Sequence, residues 1–180
     1  QGPGIFLAQF MGDKAPVNNF RNICQWVAGL GYKGIQIPSW DPRCMNLAKA
    51  ASSQDYCDEL IGTAAEFGLT ITELSTHLQG QLVAVNPAYN PMFDGFAPPE
   101  VQGNAQARTD WAIAQMYLAA QASARLGLKT HASFSGSFLW HTVYPWPQRP
   151  AGLVEAGFKE LANRWLPILN AFDNAGVDVC

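Results

Sequence analysis

Three histidines stand in the 180 residues, His77, His131 and His141, and two of them sit among side chains that suit small-molecule chemistry. An imidazole can pass a proton near neutral pH or ligate a metal. His77 is followed by Gln79 and Gln81, whose carboxamides each offer one acceptor and two donors to hydroxyl groups. His141 follows Ser135 and Trp140, and a tryptophan face matches the apolar C–H face of a hydroxyl-rich ring. Arg149, farther along, suits a phosphate or carboxylate through a two-pronged contact. His77 and His141 are the candidate catalytic residues; Gln79, Gln81, Ser135, Trp140 and Arg149 are the candidate substrate contacts. Each has a plainer alternative. His77 can fix its own loop through a backbone carbonyl, and the two glutamines can face solvent. Trp140, Tyr144 and Trp146 can be a lid anchored by Pro145, Pro147 and Pro150. His131 reads as structural, at the start of a strand and at the far end from the site. Ser135 has no G-x-S-x-G elbow around it, which leaves a serine-hydrolase reading weak.

Five strand-like runs must position these residues: 4–10, 33–37, 69–75, 129–135 and 177–180. The last four each follow a helix-like stretch ending on glycine, at Gly31, Gly68, Gly127 and Gly176. Glycine there permits the left-handed turn that stops a helix and releases a strand. Strand, helix, glycine, strand is the written form of a parallel α/β array. Apolar stripes predict helices over 18–30, 53–67, 104–126 and 154–175, with Asn18 or Asn19 and Ser53 as caps. The predicted buried line of the third is Trp111, Ala114, Gln115, Leu118, Ala122 and Leu126. That of the fourth is Phe158, Leu161, Trp165, Ile168, Leu169 and Phe172, with Pro167 expected to kink or divide the helix. Alternation along the third strand places Glu73, Ser75 and His77 on one face, above Gln36 of the second.

Two connections are long, from His77 to Gly103 and from Gly136 to Pro150. Both leave the carboxyl ends of strands, where parallel α/β proteins bind ligands. No glycine fingerprint of a nucleotide fold follows the first strand. The expectation is an α/β fold of parallel (β/α) barrel type with four β-α units plus a fifth strand. It occupies 1–180 as a single amino-terminal half of a (β/α)8 barrel.

Composition narrows the function classes. Hydrophobic residues make up 48% of the chain and charged residues only 14%, so much surface must be buried. A net charge of -3 provides no basic footprint for nucleic acid. No apolar run of membrane-spanning length occurs. The four cysteines, Cys24, Cys44, Cys57 and Cys180, form no C-x-x-C pair and read as reduced thiols of a cytoplasmic protein.

The segments 26–38, 67–77 and 174–180 resemble the sugar phosphate isomerase/epimerase proteins of the xylose-isomerase-like TIM-barrel superfamily. The "LGYKGIQIP" stretch is similar to that family's second-strand signature and "EFGLTITELSTH" to its third. The resemblance implies a metal-dependent enzyme of carbohydrates, using Mn, Mg, Co or Zn. Sugar-isomerising members hold the metal from strands five to eight, and endonuclease relatives have a zinc-binding histidine placed like His77. The resemblance therefore implies that this chain supplies substrate loops, with His77 its one candidate ligand. A carboxyl-terminal half elsewhere is then one expectation; half a barrel also leaves two unpaired strand edges, so a homodimer of half-barrels is another. A weak hydrolase using His77 or His141 is the remaining alternative.

Overall fold

The computed structural model describes residues 2–139, 142 and 149–180. Its strands β1 (Gly4–Phe6), β2 (Gly34–Pro38), β3 (Thr70–Ser75), β4 (Thr130–Ala132) and β5 (Asp178–Val179) lie side by side in chain order. Every neighbouring pair is parallel. The helices between them are α1 (Phe20–Gly29), α2 (Leu47–Ser52), α3 (Gln54–Glu66), α4 (His77–Gly80), α5 (Asn90–Phe93), α6 (Ala105–Arg125) and α7 (Leu153–Ala175). A parallel five-stranded sheet with alternating helices is part of a TIM barrel, as the repeating sequence pattern implied. All but β2 are shorter than the runs that announced them.

Local chemistry fixes the helix ends. The side chains of Asn19, Asn46, Ser53 and Asn104 accept the backbone N–H groups of Asn22, Lys49, Tyr56 and Ala107. Such caps each contribute about 1 kcal/mol. The four helix-ending glycines take positive φ, between 69° at Gly176 and 90° at Gly31, as the left-handed stop requires. Helix α2 went unpredicted, since six residues give too little periodicity to read.

Register divides the sheet into two faces. Ile37, Leu74 and His131 share one level and are fully buried beneath the helices. Phe6, Gln36 and Glu73 share another level on the opposite, inner face, where burial is partial. The extra residue Thr72 in β3 makes that second pairing possible, and its hydroxyl donates to the Ile35 carbonyl at 3.1 Å.

Two helix faces differ from the sequence expectation. In α6 Ala122, with Leu126 just past its end, is buried as expected, but the rest of the buried line is Arg108, Ala112, Met116, Ala119 and Ser123, whereas Ala114 is exposed and Trp111, Gln115 and Leu118 are half-buried. This helix is packed on the sheet between α2 and α7, so small alanines occupy the crowded face and large side chains spread to its flanks. In α7, Trp165, Ile168 and Phe172 are buried, but Phe158 and Leu169 are 62% and 39% exposed. Among the described elements α7 packs mainly on α6 and β5, with Phe172 also against His131 of β4, and these contacts leave Phe158 and Leu169 uncovered. It also runs through Pro167 as one helix.

One buried cation secures the long connection after β3. Arg108, 1% exposed, donates to the Asn90 carbonyl at 2.7 Å, to Asn90 Oδ1 at 2.6 Å and to Asp94 Oδ1 at 2.6 Å. Helix α7 holds both long connections. Arg164 donates to the Val83 carbonyl at 3.1 Å, and Trp165 Nε1 to the Ser135 carbonyl at 2.9 Å.

Candidate active site

The carboxyl ends of β1 to β4 converge on His77. Its ring centroid is 5.3 Å from Phe6, 6.1 Å from Trp40 and 4.3 Å from Phe134, and Phe6 and Trp40 are themselves 6.1 Å apart. Phe6 ends β1, Trp40 follows β2, His77 follows β3 and Phe134 follows β4. Each unit of the fold thus contributes one ring to a shared wall. Phe134 is 56% exposed, so the wall opens outward on that side.

Hydrogen bonding sets the histidine's state. Ser75, two residues back at the end of β3, bonds its hydroxyl to His77 Nδ1 at 2.6 Å. No described residue bonds to Nε2, which is left for a ligand. Burial pushes the imidazole below its usual pKa of 6.5, and the charge on Glu73 opposes that shift only partly. At neutral pH the ring is therefore uncharged, one nitrogen held by Ser75 and the other available.

A second histidine lies under the site, on the helix side of the sheet. His131 is fully buried, with Nε2 2.8 Å from the Thr76 hydroxyl and Nδ1 3.1 Å from that of Ser123. Thr76 donates onward to Ser133 Oγ at 3.0 Å. Thr76 then accepts from Nε2–H, and Ser123 donates to Nδ1. Burial, reinforced at low pH by the charge His77 then carries, lowers the His131 pKa to about 3. The ring is a neutral brace, in keeping with a structural role, but it lies near the carboxyl end of β4 rather than at the far end from the site. It joins β3 to β4 directly beneath His77.

The other predicted contacts separate. Gln81 joins Phe134, Ser135 and Gly136 around a cavity of about 270 Å³. The Ser135 hydroxyl is turned to the Gly136 carbonyl at 2.9 Å, so its main contribution is the backbone carbonyl that receives Trp165. Gly80 and Gly136 make this close packing possible. A Cβ on Gly80 would strike Ser133 and Phe134, and one on Gly136 would strike the carbonyls of Ala84 and Gln81. Gln79 is not a solvent-facing amide but is 1% exposed, its amide nitrogen reaching the Ser39 hydroxyl at 3.4 Å. Arg149 is exposed. Trp140, His141, Tyr144 and Trp146 lie outside the described residues.

Sequence reading missed Phe6, Trp40 and Phe134. The signal was there to find, since each aromatic stands at or two residues past the end of its strand.

A family model described as xylose isomerase-like TIM barrel matches residues 24–180. The chain belongs to that family. No curated protein matches it. Solved structures of similar fold include the 3-keto-D-glucoside 4-epimerase of E. coli, at 14% identity and TM-score 0.59, covering 98% of this chain and 53% of that one. D-Psicose 3-epimerase of Clostridium cellulolyticum H10, solved with D-tagatose, matches at 14% identity and TM-score 0.55, covering 100% and 51%. A xylose isomerase-like TIM barrel protein of Mycobacterium smegmatis in complex with magnesium matches at 14% identity and TM-score 0.51, covering 88% and 44%. The chain spans about half the length of these structures. At such identities the likeness is one of fold.

The described residues do not fit a divalent metal centre. No three His, Cys, Asp or Glu side chains among them come together as ligands, and His77 stands among aromatic rings. No described helix is long and apolar enough to cross a membrane.

Proposed function

We propose that residues 1–180 form the amino-terminal half of a sugar, or sugar phosphate, isomerase or epimerase barrel, and that its mouth holds the substrate. The observation that carries this reading is a neutral His77, one nitrogen free, walled by Phe6, Trp40 and Phe134 on a fold of this family. Aromatic faces take the C–H face of a sugar, and an imidazole whose Nδ1 is fixed by Ser75 can hydrogen-bond a ring hydroxyl through Nε2. This chain's residues thus bind and orient the substrate and exclude water from one face of it. Any divalent metal would be held by residues outside those described. Carbohydrate is the substrate class, and the free thiols suit a reducing, cytoplasmic setting.

Binding of ketohexoses to the chain, followed by saturation-transfer NMR, tests the reading. D-Psicose or D-fructose is expected to bind, and His77→Ala to weaken binding about tenfold, the scale of one good hydrogen bond. Equal binding to His77→Ala, in a variant that melts normally, would refute it. A self-assembling half-barrel is the second reading, and the exposed Phe158, Leu166 and Leu169 of α7 favour it. Light scattering distinguishes monomer from dimer.

A further inference from the structure

A separate pocket of about 450 Å³ opens beside the mouth, between the segment after β2, α4, the connection after β3, and α6. Its size falls within the usual range for small-molecule sites. Trp40, Phe96 and Trp111 contribute aromatic surface, and Ser39, Asn46, Gln79 and Gln115 contribute polar groups. Among the described residues the lining holds no ionisable side chain. Gln79 is the informative member. Its Oε1 is fully enclosed with no donor among the described residues, while its amide nitrogen makes only the long contact to Ser39. Ser39 donates its own proton to the Ser75 carbonyl at 2.8 Å. Asn46 spends its oxygen on capping α2, which leaves its amide protons.

We infer that this pocket binds an uncharged pyranose ring. Carboxamides donate and accept at once, as sugar hydroxyls do, and each can engage a vicinal pair. Aromatic rings match the C–H face of the same ligand. A lining without charge offers a phosphate or carboxylate no counterion and leaves it poorly solvated. Trp40 is the partition, edge-on to His77 on one side and part of this lining on the other. The inference stands on the lining and does not depend on what reaction the mouth carries out. The ring can be a free monosaccharide or the second ring of a larger glycoside whose first ring lies against His77.

Calorimetric titration of the 180-residue chain with methyl β-D-glucopyranoside tests it. Saturable binding is expected, weakened about tenfold by Gln115→Leu or Trp111→Phe. Gln115 lies half-buried on the flank of α6, so its variant is expected to fold even if the tryptophan variant does not. Cellobiose separates the two sources of the ring. If its affinity falls in both His77→Ala and Gln115→Leu, it bridges mouth and pocket; if in Gln115→Leu alone, the pocket acts independently. Either result supports the site. Three results overturn it: no binding of the glucoside, unchanged affinity in a normally melting Gln115→Leu, or tighter binding of adenosine than of the glucoside. A mouth that fails to bind ketoses leaves this measurement untouched.

Discussion

Lowering the pH is expected to unfold this chain in part through His131, and the cost can be worked from its surroundings. The ring is fully buried with both nitrogens committed to hydroxyls, and burial lowers its pKa from 6.5 to about 3. A group whose folded pKa is depressed contributes stability that is complete above the unfolded value and is lost as pH falls toward the folded one. The unfolded chain then binds one more proton than the native chain between about pH 6.5 and 3, so stability falls by about 1.4 kcal/mol per unit there. At pH 4.5 the loss is about 3 kcal/mol, a large share of the 5–15 kcal/mol typical of a domain. His131→Gln keeps a polar side chain but removes the titration. Urea unfolding of both proteins at pH 7.5, 6.5, 5.5 and 4.5 isolates the effect, because carboxylate contributions are common to both and cancel in the difference. The variant is expected to be less stable at pH 7.5, with the gap closing by about 3 kcal/mol at pH 4.5. Parallel curves would show that the buried imidazole does not titrate as its environment dictates. His77, also depressed, shifts stability in the same direction, but less, because water reaches it.

Two further outcomes follow from burial. Arg108→Met should cost about 3 kcal/mol by leaving Asp94 and Asn90 without their donor; limited proteolysis should then cleave within residues 86–103 sooner than in the parent. Cys24 and Cys44, pushed up to about 12 by burial, should not react with a disulfide reagent at pH 7.5, while exposed Cys180 should react at once. Release of more than one thiol equivalent from the native chain would contradict the packing around α1.

Much of the fold is legible in the sequence because the signals are local. Four glycines placed after apolar stripes mark helix ends, since few other residues take a positive φ cheaply. Asn19, Ser53 and Asn104 cap their helices through bonds that span three residues. Alternation places Glu73 and Ser75 on one face of β3, although His77, expected to continue that face, opens helix α4 instead. These features depend on near neighbours alone, so the order of letters is enough to read them.

Tertiary structure decided the rest. Which line of α6 is buried depends on α2 and α7 crowding it, so alanines outrank tryptophan there. The ring wall around His77 joins residues 6, 40, 77 and 134, which no window of sequence connects. Gln79 and Gln81 stand two apart in the chain yet belong to different cavities, because helix α4 turns them to opposite sides. His131 read as remote and proved to lie beneath the site, since parallel pairing sets it level with Leu74 near the end of β3. Sequence alone determined the five strands, the four long helices and where those helices stop, because those choices follow from backbone preference and local capping. The site is a property of the sheet, since only the register of its parallel strands brings four distant strand ends to one place.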